Sequence, residues 1–304
     1  MAVQRSVLAV PGNNWRMIEK AIASDADVIF LDLEDAVAPD AKAAGRETVI
    51  RALTELDWGR KPRVFRINAL DTPFCYRDVI EVVEAAGDRL HRIIVPKVNR
   101  PEDVAFVDTL LTQIEANCGL DRMIGLEVQI ETAEGVLNCA EIATASPRIT
   151  ALIYGPGDYS ASVRMPSTAI GTLDEWDAAY PGHRYQYVMH HLLVAARAAG
   201  VLVIDGPYAD FRDPDGCRRS AMLSRAMGYD GKWCIHPNQI AIVNEVFSPT
   251  PDEIAWATRV VEAYEAATRE GRGAIAIDGR MIDAASIRMA QTTLDLARAA
   301  GMVE

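Results

Sequence analysis

The sequence predicts an α/β fold, a (β/α)8 barrel of the TIM type with a C-terminal helical extension. Eight short apolar stretches rich in Val and Ile alternate with longer stretches of helical periodicity, which is the count and order of elements in such a barrel. The near-continuous apolar character of these stretches is typical of parallel strands that are buried on both faces. The length of 304 residues lies within the range of a single barrel that carries an appendage.

The predicted strands are short and evenly distributed along the chain. They occupy residues 6–10, 28–33, 63–67, 92–95, 124–130, 151–154, 201–204 and 232–235. Between them, apolar residues recur at spacings of three and four, as in Val79, Val82 and Val83, which predicts helices that pack on the barrel. Residues 162–183 interrupt the alternation with a stretch that contains Gly, Pro and Trp. It is too long for an ordinary βα loop, so we expect it to be functional or mobile.

The C-terminal part of the chain lies beyond the eighth predicted strand. Two domains are therefore predicted, a catalytic barrel at residues 1–248 and a helical extension at residues 249–304. Two helical stretches in the extension, at 251–270 and 284–299, flank a glycine-rich turn region. Because glycines permit hinged movement, we expect the extension to form a lid, packed outside the barrel or over a neighbouring subunit.

Composition and charge narrow the classes of function. Half of the residues are hydrophobic, and no apolar stretch approaches the roughly 18–20 residues that a membrane span needs. The N-terminus has no apolar segment of signal-peptide type, and the five scattered cysteines lack the spacing of a zinc site or a disulfide framework. A cytoplasmic protein is expected. The net charge of −12 disfavours nucleic acid and anionic membranes as partners, because binding to phosphates depends on Lys and Arg.

Two acidic residues follow consecutive predicted strands. Glu131 comes directly after the fifth strand, and Asp158 comes after the sixth, at the end of the turn 155–157. If these strands are neighbours in a parallel sheet, about 5 Å apart, both carboxylates converge at the end of the barrel where barrel enzymes carry their active sites. Hard carboxylate oxygens with room for water and a ligand are what Mg²⁺ prefers. The alternative is that each acid caps the helix that follows it.

Basic residues near the ends of the first and third strands are candidates for anion binding. Arg16 and Lys20 are four residues apart on one face of the helix that follows the first strand. With free backbone N–H groups at the helix start they can hold phosphates, and a solvated basic face is the alternative. Arg66 ends the third strand, and a buried arginine needs an acidic partner.

The second strand ends in three acids that can supply such a partner. They are Asp32, Glu34 and Asp35, and strand alternation places Asp32 and Glu34 on one side. Lys97, after the fourth strand, can be a Schiff-base lysine, but neighbouring acids would hold it charged and favour a structural salt bridge. His236, after the eighth strand, is as compatible with packing and capping as with catalysis. Motifs of serine hydrolases, P-loop proteins and dinucleotide-binding proteins are absent from the sequence.

Nine motifs spread over about residues 4–290 carry a resemblance to a known family. They are RSVLAVPGNN, IFLDLEDAVAPDAK, FRINALDT, IIVPKV, IGLEVQIETAEG, GPGDYSAS, IDGPYADFRDPDG, GKWCIHPNQI and GRMIDAASIRMAQ. Together they resemble the CoA-ester lyase branch of the HpcH/HpaI aldolase family, which is also called CitE-like. The similarity is greatest to malyl-CoA lyases and smaller to citrate lyase β subunits and citramalyl-CoA lyases.

The resemblance implies a set of site residues as well as a TIM barrel. It implies Mg²⁺, with Mn²⁺ as an alternative, held by the residues matching Glu131 and Asp158, and a substrate-binding arginine matching Arg66. It also implies a homo-oligomer, a trimer or hexamer, in which the C-terminal segment closes over the neighbouring subunit's site and carries Asp283 there. Arg66, Asp283 and Glu34 are accordingly the candidate catalytic residues. The competing interpretation of Asp283 is a helix N-cap whose capping box is not completed by the residue three positions on.

The expected reaction is a reversible Claisen-type cleavage of L-malyl-CoA, and also of β-methylmalyl-CoA, to glyoxylate and acetyl-CoA or propionyl-CoA. The partners are then a CoA thioester, with its phosphates on Arg16 and Lys20, and glyoxylate. Backbone N–H groups after the Gly-Pro-Gly-Asp turn are expected to bind the carboxylate, and Pro156, Gly157 and Asp158 of that turn are candidate substrate-binding residues.

Two alternatives to this reaction remain open. One is a malyl-CoA thioesterase, and the other is a citramalyl-CoA or citryl lyase type subunit of a larger complex. Preference for acetyl or propionyl substrates also stays open, since one methyl changes discrimination by only about 1–3 kcal/mol.

Overall fold

The chain, represented by a computed structural model, folds around a closed barrel of parallel strands. The structure describes residues 3–167, 169–172, 174–180, 183–269, 271 and 273–303. Among these, eight strands pair in chain order, and the eighth closes on the first. They are β1 (Ser6–Pro11), β2 (Val28–Asp32), β3 (Arg63–Arg66), β4 (Arg92–Val95), β5 (Gly125–Ile130), β6 (Ile149–Tyr154), β7 (Leu202–Asp205) and β8 (Gly231–Cys234). The prediction of a (β/α)8 barrel is confirmed, and each strand agrees with its predicted bounds to within two residues.

Helices cover the outside of the barrel because their apolar faces recur at helical spacing. They are α1 (Trp15–Ile22), α2 (Lys42–Glu55), α3 (Cys75–Ala86), α4 (Pro101–Cys118), α5 (Ala133–Leu137), α6 (Cys139–Ile142), α7 (Pro156–Ser162), α8 (Glu175–Ala179), α9 (Gln186–Ala199), α10 (Pro214–Met227) and α11 (Ile240–Phe247). In α3 the predicted apolar residues Val79, Val82 and Val83 are buried. The helices α9 and α10 end at left-handed glycines, Gly200 and Gly228, which is the ordinary glycine C-cap.

The interior of the barrel combines an apolar layer with buried polar side chains. Phe30 and Trp233 pack in the apolar layer with ring centroids 4.5 Å apart. Glu127, Gln129 and Glu131 alternate along β5 and just beyond it, so all three point inwards, and all three are buried. Buried polar groups of this kind need hydrogen-bond partners from other strands, which fixes how the strand ends fit together.

The chain divides into two compact units, Gln4–Asn244 and a second unit formed by residues 1–3 and 245–304. The second unit contains α12 (Pro251–Arg269) and α13 (Ala284–Ala299), and Ala257, Val260 and Leu294 are part of its small apolar core. The assignment of residues 249–304 to a separate lid domain stays a prediction.

Between these helices lies an antiparallel hairpin, β9 (Ile275–Ile277) and β10 (Arg280–Ile282), where the sequence predicted only a turn region. That prediction was incomplete, because strands of three residues are too short to show alternation. The hairpin turn has positive φ at Asp278 and Gly279, as a type I′ turn requires. Among the described residues, no helix is long and apolar enough to cross a bilayer.

Candidate active site

A pocket of about 380 Å³ opens at the carboxyl ends of the barrel strands. Its lining includes side chains that follow or end several different strands, among them Asp32, Arg66, Glu131 and Asp158. Because β5 and β6 are neighbours, with Ile130 opposite Tyr154, the two predicted metal carboxylates reach the same pocket. The structure therefore brings Glu131 and Asp158 together, and their role as metal ligands stays a prediction.

Glu131 is held in one orientation by contacts on both of its oxygens. Oε1 accepts the backbone N–H of Lys97 at 2.9 Å, and Oε2 accepts the Nε2 group of Gln129 at 2.5 Å. The carboxylate also rests against Gly155, where a Cβ atom would lie only 2.2 Å from Oε2. Position 155 must therefore be glycine for this packing, a reason that the turn motif alone did not reveal.

The charge on Glu131 is poorly compensated within the protein. Burial, followed by the charges of Glu34 and Asp158, raises the pKa of Glu131 to about 8, while Arg66 and the Lys97 N–H act in the opposite direction. Asp158, in the first turn of α7, remains partly exposed to the pocket. A buried acid beside an accessible acid is a donor set that suits a hard cation. Among the described residues there is no group of three or more His, Cys, Asp or Glu side chains that could hold a metal ion.

Arg66 lies buried in the barrel mouth with its charge shared among several acids. Asp32 accepts two hydrogen bonds from its guanidinium, both at 2.7 Å, and Glu34 Oε2 lies 2.8 Å from Nη1. Burial by itself would lower the pKa of Arg66, but these acids raise it far above its ordinary value. The guanidinium lies over the rings of Phe30 and Trp233, at 5.8 and 5.4 Å from their centroids. It is thus a permanently charged group in a fixed position.

Lys97 forms the salt bridge that the sequence favoured over a Schiff base. Its Nζ donates to Glu34 Oε1 at 2.9 Å and lies 3.8 Å from carboxylate oxygens of both Asp35 and Asp158. Burial alone would lower the pKa of Lys97, but Glu34 and the two aspartates raise it well above its ordinary value. Since a nucleophilic lysine must lose its proton, this geometry disfavours Schiff-base chemistry. Lys97 has a left-handed backbone, with φ of +50°, a conformation that is unfavourable for a residue other than glycine.

Glu34, predicted as catalytic, is enclosed by these two cations. Burial raises its pKa, the Arg66 charge lowers it, and the charge of Asp35 raises it again. Glu34 links Arg66 to Lys97 through its two oxygens. Its catalytic role stays a prediction.

The other predicted ligand-binding residues are placed less directly. Arg16 and Lys20 are exposed on α1, and the pocket is lined by Met17 of the same helix. The prediction assumed free backbone N–H groups at the start of α1. The side chain of the N-cap residue Asn14 accepts the N–H of Met17, so at least this amide is not free. Pro156, Gly157 and Asp158 all line the pocket, and their role in substrate binding stays a prediction.

Asp283 is the N-cap of α13. Its Oδ1 accepts the backbone N–H groups of Ala285 and Ser286, each at 3.0 Å. The Ser286 hydroxyl in turn accepts the N–H of Asp283, so the capping box is complete. The expectation that Ser286 would not complete it was wrong, because a serine oxygen can act as the acceptor that Glu or Gln usually provides. Hydrogen bonds from Ser286 lower the pKa of Asp283. Its catalytic role in a neighbouring subunit stays a prediction.

The long stretch at residues 162–183 contributes Ile170 to the pocket. Ile170 packs beside Gly157, and its carbonyl accepts the N–H of Ala209 at 2.9 Å. Residues 168, 173, 181 and 182 of this stretch lie outside the described part of the chain. His236 accepts the N–H of Asn238 and stacks on Phe211, which agrees with packing and capping.

Sequence reasoning missed three residues that shape the site, namely Gln129, Gly155 and Ile170. Gln129 had a recognisable signal, since it precedes Glu131 by two residues on an inward-facing strand. For Ile170 the only signal was the length of its loop. Nothing in the local sequence indicates which side chain of that loop reaches the pocket.

A closed (β/α)8 barrel with two acids and a buried arginine in the pocket at the carboxyl ends of its strands has the architecture of a TIM-barrel enzyme. The chain belongs to the HpcH/HpaI aldolase/citrate lyase family, which it matches over residues 5–237. This confirms the family that the sequence motifs indicated.

Known proteins similar to this chain include carbon–carbon lyases. The chain is 44% identical over 293 residues to an L-malyl-CoA/beta-methylmalyl-CoA lyase of Cereibacter sphaeroides, covering 94% of this chain and 92% of that one. It is 38% identical over 297 residues to a (3S)-malyl-CoA thioesterase of the same species, covering 97% and 95%. The solved structure of CitE from Mycobacterium tuberculosis, in complex with magnesium, acetoacetate and coenzyme A, superposes with a TM-score of 0.78 at 30% identity and 99% coverage of both chains.

Proposed function

We propose that this protein is a Mg²⁺-dependent carbon–carbon lyase that reversibly cleaves L-malyl-CoA, and also β-methylmalyl-CoA, to glyoxylate and acetyl-CoA or propionyl-CoA. The observation that carries the proposal is the convergence of Glu131, Asp158 and Arg66 on one pocket, in a chain 44% identical to lyases of this name. Glyoxylate is a small anion, and the pocket offers a fixed cation and a pair of metal-binding acids for it.

The cation is assigned to Glu131 and Asp158. CitE, which is similar in structure, was solved with magnesium, and the donor set here consists of hard oxygens that also accept Mn²⁺. When bound, Mg²⁺ supplies a Lewis acid and a template for the carboxylate and adjacent oxygen of the glyoxylate portion. The raised pKa of Glu131 supports this assignment, because a buried acid near two others gains most from a neighbouring cation.

Arg66 is proposed to stabilise the oxygen on which negative charge develops when the carbon–carbon bond breaks. Asp32 and Gln129 accept three hydrogen bonds from its guanidinium, and Glu34 Oε2 lies 2.8 Å from Nη1 in an ion pair. Asp35 Oδ2 lies 3.6 Å from Nη2, which is beyond hydrogen-bond distance. A guanidinium has five N–H donors, more than these three hydrogen bonds to described residues use, so it can also donate to a substrate oxygen. A donor fixed in advance in a water-poor site needs no reorganisation when charge develops, which is the basis of oxyanion stabilisation.

Proton transfer at the acyl α-carbon is assigned to Asp283 of a neighbouring subunit in a homo-oligomer, a trimer or hexamer. CoA phosphates are assigned to Arg16 and Lys20 on α1, which are exposed and close in sequence to the pocket residue Met17. We place the enzyme in the cytoplasm, where its five free thiols would stay reduced.

The decisive experiment is product analysis of the pure protein with Mg²⁺ and malyl-CoA, methylmalyl-CoA or citramalyl-CoA. We expect acetyl-CoA or propionyl-CoA together with glyoxylate. Free CoA with malate would instead establish the thioesterase, which the 38% identical relative makes the second candidate. Inactivity of the homomeric chain towards free CoA esters would favour a role as a citrate lyase type subunit.

Glu131→Gln and Asp158→Asn should each abolish turnover, because a hard dication loses a charged ligand in either variant. The rates should be compared at modest Mg²⁺ concentration, with circular dichroism as the check of folding. Near-normal activity in either folded variant would refute the metal assignment.

A further inference from the structure

We propose that Gln129 is a positioning residue that holds Glu131 in its metal-binding orientation and keeps Arg66 from pairing with it. The inference rests on the proposed metal site and concerns a residue that the family resemblance did not single out. Gln129 lies on β5, two residues before Glu131, and is 4% exposed. Its Nε2 donates to Glu131 Oε2 at 2.5 Å, and its Oε1 accepts from Arg66 Nη1 at 3.3 Å.

The chemistry of the two neighbours determines which way the amide of Gln129 faces. A guanidinium can only donate hydrogen bonds, so it must face the amide oxygen. An ionised carboxylate can only accept, so it must face the NH₂ group. Glutamate could not donate to Glu131, and an apolar side chain could serve neither neighbour. Among side chains of this length, an amide alone can connect a cation to an anion without adding charge.

The neutral amide also acts as a spacer between opposite charges. Arg66 Nη1 and Glu131 Oε2 contact opposite groups of the same amide, so Gln129 lies between the two charges. Without the amide, the guanidinium could move onto Glu131 Oε2 and occupy the oxygen that a metal needs. The Lys97 N–H holds the other oxygen of Glu131, and the absent Cβ of Gly155 leaves room behind the carboxylate. The contact from Lys97 comes from its backbone, whereas the contact from Gln129 comes from its side chain. A substitution at position 129 can therefore remove the second contact and leave the first.

A second arginine–glutamine–glutamate arrangement lies towards the amino ends of the strands and offers a matched control. Gln4 donates to Glu127 Oε1 at 3.0 Å and accepts from Arg92 Nη1 at 3.0 Å. Gln4 is 4% exposed, as Gln129 is, and it does not line the pocket. Replacing either glutamine by methionine removes one hydrogen bond to a buried glutamate and one from an arginine, which is buried for Arg66 and half-buried for Arg92. Only the Gln129 arrangement adjoins the proposed metal site.

The test is the Mg²⁺ dissociation constant of metal-depleted protein, measured by isothermal titration calorimetry. Gln129→Met should weaken Mg²⁺ binding about 10–100-fold, the usual cost of removing a residue that orients a metal ligand. Gln4→Met should leave the constant unchanged. In assays, Gln129→Met should shift the Mg²⁺ concentration for half-maximal activity upwards and recover turnover as Mg²⁺ is raised. Gln129→Leu also removes both hydrogen-bonding groups and serves as the test if the methionine variant does not fold.

Normal Mg²⁺ affinity in Gln129→Met, or in Gln129→Leu if only that variant folds, would overturn the inference. Equal weakening in Gln4→Met would overturn it too, because the effect would then come from general loosening of the barrel. Glu131→Gln separates these outcomes from failure of the metal site itself. If Glu131→Gln binds Mg²⁺ normally, the proposed site is wrong. If Glu131→Gln loses Mg²⁺ binding while Gln129→Met binds Mg²⁺ normally, only the proposed role of Gln129 is wrong.

Discussion

Folding gives the carboxyl group of Glu131 a pKa that it does not have in the unfolded chain. In water a glutamate is charged at neutral pH, but burial beside Glu34 and Asp158 raises the pKa of Glu131 to about 8. The Lys97 N–H and the Gln129 amide stabilise the charged form only in part. A cation bound by both Glu131 and Asp158 would balance the remaining negative charge. The unfavourable free energy of burying the Glu131 carboxylate would then favour binding of a metal ion.

The packing of Glu131 against Gly155 leads to a prediction at the same scale. In Gly155→Ala the new Cβ would lie 2.2 Å from Oε2, so the carboxylate must move, and we expect a large loss of Mg²⁺ affinity and turnover. In Gly157→Ala the Cβ would meet the tip of Ile170 at 2.9 Å, which a flexible side chain can relieve. The matched variant should therefore lose much less. Metal titration and steady-state kinetics check the order, and equal losses in the two variants would contradict it.

At the level of elements, each helix that follows a strand begins near the pocket and can present charge to it. The helix α1 does so with an exposed face that carries Arg16 and Lys20, one helical turn apart. Its residue Met17 lines the pocket, so a ligand that leaves the pocket along α1 would pass these cations. Because the whole chain has a net charge of −12, two neighbouring exposed cations indicate an anion-binding surface more strongly than they would in a basic protein.

Replacing Arg16 and Lys20 together by Ala should raise KM for the CoA ester with little change in kcat. This is the result expected when binding is lost equally from the ground state and the transition state. A matched control is the double replacement of Arg89 and Arg122, which are exposed and precede β4 and β5 at the opposite end of the strands. The control changes the net charge equally and should leave KM unaltered. An unchanged KM in the α1 variant would move the phosphate site elsewhere.

At the level of the whole molecule, the proposed mechanism assigns roles to residues of both compact units. Asp283 belongs to the C-terminal unit, where it caps α13, whereas Glu131 belongs to the barrel. A capping role and a catalytic role make different demands on the side chain. Asn caps a helix about as well as Asp does, but it cannot transfer a proton.

Asp283→Asn should therefore keep its thermal stability and its Mg²⁺ affinity while losing roughly 10²-fold or more in kcat. If Asp283 acts in trans, mixing this variant with Glu131→Gln should restore part of the activity, because some sites would combine an intact metal pair with an intact Asp283. Subunit exchange must be shown independently, for example by mass spectrometry of isotope-labelled chains. Absence of complementation in exchanging mixtures would place Asp283 in its own subunit's site or outside catalysis.

The sequence by itself determined the fold class, the strand positions and the acids and bases that end the strands. These follow from local patterns, since a strand buried on both faces is mostly apolar and the polar residues at its end stand out. The motifs also determined the family, which the match over residues 5–237 confirmed. The hairpin of the C-terminal unit escaped prediction because its strands, Ile275–Ile277 and Arg280–Ile282, are shorter than any readable period.

Only the tertiary structure decided how these residues are connected. Lys97 reaches Glu34, and Arg66 reaches Gln129, across 63 residues of sequence in each case. Such contacts depend on the closure and register of the barrel, which set the distance between strand ends and have no signature in either local segment. The same holds for the fit of Glu131 against Gly155, where β5 and β6 meet. Local sequence specifies which groups stand at a strand end, whereas the closed sheet specifies which of them touch, because contact distances are set by the packing of the whole barrel.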